Sequence, residues 1–309
     1  MNTQTKMAIV AIIVVIPLTS LVVYGTDTNQ QFTNSDNSKL QVISSFNPLY
    51  EFSQIVGQDK IDATLLVPVG VEPHDWEPTI KDVQEMQKSD IIVINGIGFE
   101  NWVDDLIENN YSGIIVDTSN GIDIIQSEEQ HNEEQHNEHD DLLGDPHIWL
   151  NPVYAKIQVQ NIATAFSNSD AKNSQFYHKN AEEYNKKLDL LDLKIQKELS
   201  ECSRDFIAFH DAFSYFADEY NLNQHTILTT TNSHGEVTAK TLENVISKAR
   251  ELNIKVIFSE ETVNTKTSQI IANEIGGKVL VLSPLEIVSN DNYITKMTQN
   301  LENLKEALC

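Results

Sequence analysis

A chain of 309 residues with 40% apolar and 7% aromatic side chains has the composition of a folded protein larger than a usual single domain, not of a disordered one. Its 46 acidic against 21 basic residues leave a formal charge of −25. That field repels phosphate backbones and anionic lipid headgroups, which argues against nucleic acid as a partner, and it draws cations towards the surface.

In chain order, residues 7–24 form an uncharged apolar run after Lys6, followed by a polar stretch rich in Asn, Thr, Ser and Gln. Residues 1–25 therefore read as a signal peptide or N-terminal membrane anchor, and 26–39 as a flexible linker. The run is longer than a usual signal-peptide core, lacks a clear small-x-small cleavage site and reaches the lower limit for a spanning helix, so a retained anchor is favoured over a cleaved signal. No Cys lies near Tyr24 to accept a lipid. The fold is expected to begin after Lys39, outside the cytoplasm, in the periplasm or at the cell surface, as a monomer. Only Cys202 and Cys309 are present, a number that permits one disulfide in an exported protein. The alternative is one buried thiol and one frayed C-terminal thiol.

Apolar, β-branched runs at 41–46, 63–67, 91–95 and 113–117 read as buried strands, with helix candidates at 50–56, 79–88 and 99–108 between them. Residues 40–165 are thus expected to form a first α/β lobe around a mainly parallel sheet. Within it, residues 128–141 read EEQHNEEQHNEHDD, a near-repeat with three His and no apolar residue. Such a loop is expected to be disordered and to offer many weak metal contacts. From 173 to 201 there is no Gly or Pro, and Tyr177, Ala181, Tyr184, Leu188, Leu191, Ile195 and Leu199 recur every three or four residues. This predicts one long helix, about 43 Å at about 1.5 Å per residue, within a linking segment at 166–201. Strand runs at 205–209, 226–229, 254–258 and 278–282 then place a second α/β lobe at 202–309. The expected fold class is α/β: two lobes, each a mainly parallel sheet flanked by helices, joined by one long rigid helix.

Three of the nine His stand apart. His74 lies in VEPHDWEPT just after the second strand, His147 in DPHIWLNP, and His210 at the end of the fifth strand in FIAFHDAF. In open α/β sheets the ligand crevice lies beyond the carboxyl ends of the strands, so residues at strand ends of two lobes can converge there. Converging neutral imidazoles suit Zn²⁺, which is tetrahedral and takes His nitrogen at about 2.0 to 2.1 Å. Asp75, Asp145 and Asp211 each lie within two residues of one of these His and could fix its tautomer. His178, His225 and His234 carry no such context. Because imidazole must be neutral to bind, affinity is expected to fall as the pH drops through about 6.5.

The stretches Pro-His-x-x-Glu-Pro-Thr at 73–79, NGIGFENWVDDL at 95–106, DPHIWLNP, FHDAFSYFADEY from Phe209 and IFSEE from Ile257 together resemble the blocks of a known family, in the family's order. The chain resembles the ZnuA-like metal-binding solute-binding proteins of ABC transporters, over nearly all of its exported part. The resemblance implies two lobes joined by a rigid helix, metal in the cleft held by His74, His147 and His210, and an ABC transporter permease as partner; the long helix, as a stiff strut, predicts small domain rotations on release. Manganese-preferring members usually carry Glu at the third position, so His210 favours Zn²⁺ over Mn²⁺, as does the preference of the harder Mn²⁺ for carboxylates. The acidic His-bearing loop also resembles the variable loop of zinc-specific members. One departure stands out: the family's final Leu-Asp-Pro-Leu is Leu282-Ser283-Pro284-Leu285 here, with Ser in place of an expected fourth ligand. Water or Glu260 is the expected substitute, with a loop His as the remaining option.

Two other functions compete. A zinc hydrolase is disfavoured because the chain has no His-Glu-x-x-His pair, nucleophile elbow or Gly-rich phosphate loop. A zinc-binding adhesin or metal buffer would carry the same ligands without feeding a transporter.

Overall fold

A computed structural model describes residues 39–126, 144–228, 237–261 and 265–309. The first sheet contains β1 (Leu40–Ser44), β2 (Ile61–Leu65), β3 (Ile91–Ile94) and β4 (Ile114–Asp117), all parallel in the order β2-β1-β3-β4. The central strand β3 is buried at every position, as a strand covered on both faces must be. Helices α1 (Asn47–Gly57), α2 (Ile80–Met86), α3 (Val103–Glu108) and α4 (Pro152–Ser169) follow the four strands in turn.

After the long α5 (Ser174–Leu199), the second sheet repeats the first in β5 (Asp205–Ala208), β6 (Asn223–Thr226), β7 (Val256–Ser259) and β8 (Lys278–Val281), ordered β6-β5-β7-β8 and again parallel. Here α6 (Ser214–Glu219), α7 (Ala239–Glu251), α8 (Lys266–Ile275) and α9 (Tyr293–Leu308) follow the strands. The strand expected at 226–229 is displaced: β6 reads NQHT and ends where that run begins. As an edge strand it pairs on one side only, so it does not require the apolar run that marks an interior strand. Ile227 and Leu228 instead carry the chain past β6 as buried loop residues, their N–H groups donating to Ala208 and Phe209.

The long helix holds the whole predicted apolar stripe but is shorter at both ends than the expected 173–201. The chain turns at Asp170, so residues 166–169 close α4, and a single 3₁₀ turn (Ala171–Asn173) leads into α5. Asp170 accepts bonds from Asn173 and from the Tyr177 hydroxyl, which fixes that corner. At about 1.5 Å per residue the helix runs about 39 Å. All seven residues of its predicted apolar stripe are buried, in one hydrophobic cluster that also takes in Val42, Phe46 and Val93 of the first lobe and Phe206, Phe258 and Leu301 of the second. The apolar core is therefore continuous through the helix, and moving one lobe far from the other would expose it to water. Residues Leu40–Cys309 form one compact unit.

Cys202 and Cys309 are joined by a disulfide across 107 positions, fastening the end of α9 to the exit of α5. Among the described residues no helix is long and apolar enough to cross a membrane. The apolar run at 7–24 and the acidic loop at 128–141, with His131, His136 and His139, lie outside the described residues, as does His234.

Candidate metal centre

Each of the three singled-out His sits beyond the carboxyl end of a strand, and local chemistry explains each placement. After β2 the ladder continues to Val67, whose N–H donates to Ser45, and the chain then turns through Gly70 at φ +82°. The far side of the His74 loop closes on a capping box: Thr79 Oγ1 accepts from the N–H of Asp82, and the Asp82 carboxylate accepts from the N–H of Thr79. His74 lies between these two fixed points.

The DPHIWLNP stretch is held residue by residue. Asp145 Oδ1 accepts both the backbone N–H of His147, at 3.0 Å, and its ring Nδ1–H, at 2.7 Å. The Pro146 carbonyl accepts from the Asn95 amide at 2.8 Å. Asn151 then caps α4, its Oδ1 accepting from Val153 N–H, and Pro152 occupies the first helical turn, where a missing N–H costs nothing. Asn95 is itself fixed by the buried Glu100, whose carboxylate accepts from the N–H groups of Asn95 and Gly96 and from Ser45 Oγ. Burial, partly offset by these bonds, raises the Glu100 pKa to about 7. Gly96 is required at φ +88°, because a Cβ there would lie 2.1 Å from Asp117 Oδ1.

His210 stands two residues past β5 and is fully buried. Its Nδ1–H donates to Oε1 of Glu260, immediately after β7, at 2.5 Å. A fourth donor comes from Glu286, in the loop after β8. Its Oε1 is a buried acceptor that no described hydrogen bond satisfies.

These four residues form the group of His, Cys, Asp or Glu side chains found among the described residues that could hold one ion, with all ligand atoms within 4.8 Å of one another. His147 Nε2 lies 3.2 Å from His74 Nε2 and 3.3 Å from His210 Nε2. Glu286 Oε1 lies 3.3 Å from His74 Nε2 and 3.7 Å from His147 Nε2. A tetrahedral ion with bonds of about 2.0 to 2.1 Å separates its ligand atoms by about 3.3 Å, so the spacing suits such an ion. The charges agree. With Nδ1 of His147 and His210 engaged by carboxylates, their Nε2 lone pairs face each other, and a cation, either a proton or a metal, has to lie among them.

Burial lowers the His74 pKa to about 4, and burial together with the neighbouring His74 and His210 rings holds His147 well below its usual value. His210 differs. Burial pulls it down too, but the Glu260 carboxylate outweighs that, with help from Glu286 and Glu72, and lifts it to about 9. Burial raises Asp145 to about 6 and, with Glu72 beside it, raises Glu286 well above the carboxylate range. Phe99 packs edge-on against His74 at 4.8 Å, and Trp149 lies 5.1 Å from the His147 ring, so the centre is walled by aromatic side chains.

The structure offers a fourth donor other than the expected water or Glu260. Glu260 is the hydrogen-bond partner of His210 Nδ1 and is not grouped with the three His. Ser283 Oγ accepts from the N–H of Leu285 instead of joining the cluster, and Glu286, three residues further on, joins it. Of the three aspartates expected to orient the rings, only Asp145 does so. Asp75 is exposed, and Asp211 accepts from Ser214 and Gln224. The sequence did carry a signal for Glu286: it is the one charge in the run LSPLEIV at the end of the last strand. His178 is exposed, and His225 pairs with Asp205 away from the centre.

The family model described as "Zinc-uptake complex component A periplasmic" matches residues 42–307. The chain is 39% identical over 295 residues to the high-affinity zinc uptake system protein ZnuA of Bacillus subtilis (strain 168), covering 92% of each chain. It is 32% identical over 289 residues to the zinc-binding protein AdcA of Streptococcus pyogenes serotype M6, covering 86% of this chain and 56% of that longer protein. Among solved structures, the laminin-binding protein Lmb of Streptococcus agalactiae, described as having adhesin and metal-transporting activity, superposes with a TM-score of 0.77 at 28% identity, covering 87% of this chain and 99% of that one.

Proposed function

The chain belongs to the zinc-uptake complex component A family, and from that premise we propose that it captures Zn²⁺ with His74, His147, His210 and Glu286 and hands it to the permease of an ABC importer. The observation that carries this reading is the set of four buried donor atoms at tetrahedral spacing, drawn from the strand ends of both lobes. Three imidazoles and one carboxylate suit Zn²⁺ better than Mn²⁺, which prefers more oxygen ligands. Asp145 and Glu260 hold the proton on Nδ1 of their rings, so that each Nε2 faces the ion. A shell closed by four protein ligands leaves no position for an activated water, as fits carriage of the ion and not hydrolysis.

The protein acts outside the cytoplasm as a monomer, tethered by the apolar run at 7–24. The Cys202–Cys309 bridge supports that location, since such bonds persist in oxidising compartments. The acidic loop at 128–141 gathers zinc and is not part of the tight site. Adhesion is a second reading, favoured by the activity described for the streptococcal laminin-binding protein.

The test is elemental analysis of protein purified without added metal, followed by competition between zinc and manganese. Zinc at one equivalent, not displaced by equimolar manganese, is the expected result. A preference for manganese, or no metal, would reject the reading. Deleting residues 128–141 should leave one tight site in calorimetry.

A further inference from the structure

The loop that carries Glu286 has no regular structure, yet side chains from elsewhere engage backbone groups of Ser283, Pro284, Leu285 and Ile287 on both sides of that residue. From α9, Asn300 brackets Ser283, its Oδ1 accepting from the N–H and its Nδ2 donating to the carbonyl, each at 2.8 Å. Lys296, also on α9 and buried, donates to the Ile287 carbonyl at 3.1 Å. Between these two, the partners come from the other lobe. Trp149 Nε1–H donates to the Pro284 carbonyl at 2.7 Å, and Asn47 Nδ2 donates to the Leu285 carbonyl at 3.0 Å. Leu285 adopts φ +65°, a left-handed conformation that disfavours a residue with a branched side chain, so the loop needs these bonds to keep its shape.

Both first-lobe donors are rigid. Asn47 opens α1, and Trp149 is fully buried, wedged against Phe46 at 4.6 Å, with its own carbonyl accepting from the Tyr293 hydroxyl. Neither touches the candidate ion; both act on the two residues immediately before Glu286.

We propose that Asn47 and Trp149 are positioning residues for Glu286: two side chains of the first lobe hold the backbone of a second-lobe loop, so that the carboxylate is offered to the ion only while the lobes are together. Separating the lobes breaks both bonds, frees Leu285 to relax, and withdraws the one anionic donor before the three imidazoles need to part. Release then proceeds by a small rotation that lowers the ligand count from four to three, which the continuous core permits. This inference rests on Glu286 being a ligand.

The test compares Asn47→Asp, Glu286→Gln and the double variant. Aspartate at the first position of α1 suits the helix dipole but turns an acceptor towards the Leu285 carbonyl, so the fold is kept and the bond is lost. Trp149→Phe, which keeps an aromatic ring without the N–H, is the second probe. Two readouts are taken: the rate of zinc loss to excess chelator, and the visible absorption of the Co²⁺-loaded protein, which is strong for four-coordinate tetrahedral cobalt. Asn47→Asp should speed zinc loss about fivefold to tenfold, the worth of one hydrogen bond, and should shift the cobalt spectrum towards that of Glu286→Gln. In the Glu286→Gln background it should add less than about twofold, because the residue it positions is no longer a ligand. Equal acceleration in both backgrounds, or wild-type rates and spectra in Asn47→Asp and Trp149→Phe, would overturn the proposal while leaving the ligand set intact. Wild-type behaviour of Glu286→Gln would remove Glu286 from the ligand set, and this proposal with it, while leaving the three imidazoles to their own test.

Discussion

His147 from the first lobe and His210 from the second are both fully buried, and each gives its Nδ1–H to a carboxylate, Asp145 at 2.7 Å and Glu260 at 2.5 Å. Their charge states nonetheless diverge. His147 is surrounded by His74 and His210 and stays neutral, whereas His210 feels Glu260, Glu286 and Glu72 and is lifted to about 9. A carboxylate on the ring is therefore not enough to set an imidazole's charge; the rest of the buried charges decide. The first-lobe imidazoles of the candidate centre are held neutral, whereas the second-lobe imidazole is raised, so a metal bound there would have to displace its proton.

The largest expected effect tests whether both halves are ligands at all. Replacing His74, His147 or His210 with Ala should each weaken zinc binding on the order of a hundredfold or more in chelator competition, since a structural zinc shell of four ligands shares about 10 to 16 kcal/mol. The deficit of His210→Ala should shrink as the pH falls, because only the wild type then has a His210 proton to displace. The deficit of His147→Ala should stay constant. Wild-type affinity in all three would reject the site.

Next come the two carboxylates behind the rings. Glu260→Gln and Asp145→Asn should each cost about tenfold to a hundredfold in affinity, but only Glu260→Gln should flatten the pH dependence. Equal flattening in both would erase the contrast between the two halves.

The pH profile of the wild type follows from the same groups. Ion-free His210 is protonated below about pH 9 and zinc requires its bare nitrogen, so affinity should fall at least about tenfold per unit as the pH drops below about 9, Glu286 adding to the slope where it too is protonated. This moves the window up from the 6.5 of an ordinary imidazole. His74, lowered to about 4, should not add to the slope until far lower pH. Calorimetry in buffers of different ionisation enthalpy should count at least one proton released per zinc near neutral pH, that of His210, with any further release coming from Glu286, which burial also raises and which binds as the carboxylate.

The smallest expected effect on binding belongs to the disulfide. Reducing Cys202–Cys309 should lower the unfolding free energy by about 2 to 5 kcal/mol, read from denaturant midpoints, because the bridge closes a long loop. Zinc affinity should change by less than about twofold. Cys202 lies just before β5, at the amino edge of the second sheet, while every donor lies at the carboxyl edge.

How much of this was legible beforehand depended on how local the cause was. Interior strands such as β3 and β7 declare themselves as apolar runs because both of their faces are covered, and the stripe on α5 declares itself because one face of a long helix is buried. The edge strand β6 did not, since its pairing comes from β5 and not from its own side chains. His74, His147 and His210 were legible because each is framed by residues that fix it locally: a capping box, an Asp-Pro turn with an N-cap, a strand end.

Glu286 showed in the sequence only as the lone charge in LSPLEIV, and the role of Glu260 did not show at all, because neither is set by its neighbours in sequence. Glu260 reaches His210 across 50 positions, and the loop bearing Glu286 is shaped by Asn47 and Trp149, 238 and 135 positions away from the carbonyls they hold. The sequence by itself determined two parallel-sheet lobes, the helix between them and three imidazoles at strand ends, since periodicity and turn chemistry act over a few residues. Which carboxylate joins the imidazole cluster, which one stands behind a ring, and which imidazole is raised were decided only when the chain closed, because burial and charge are properties of the space the two lobes enclose.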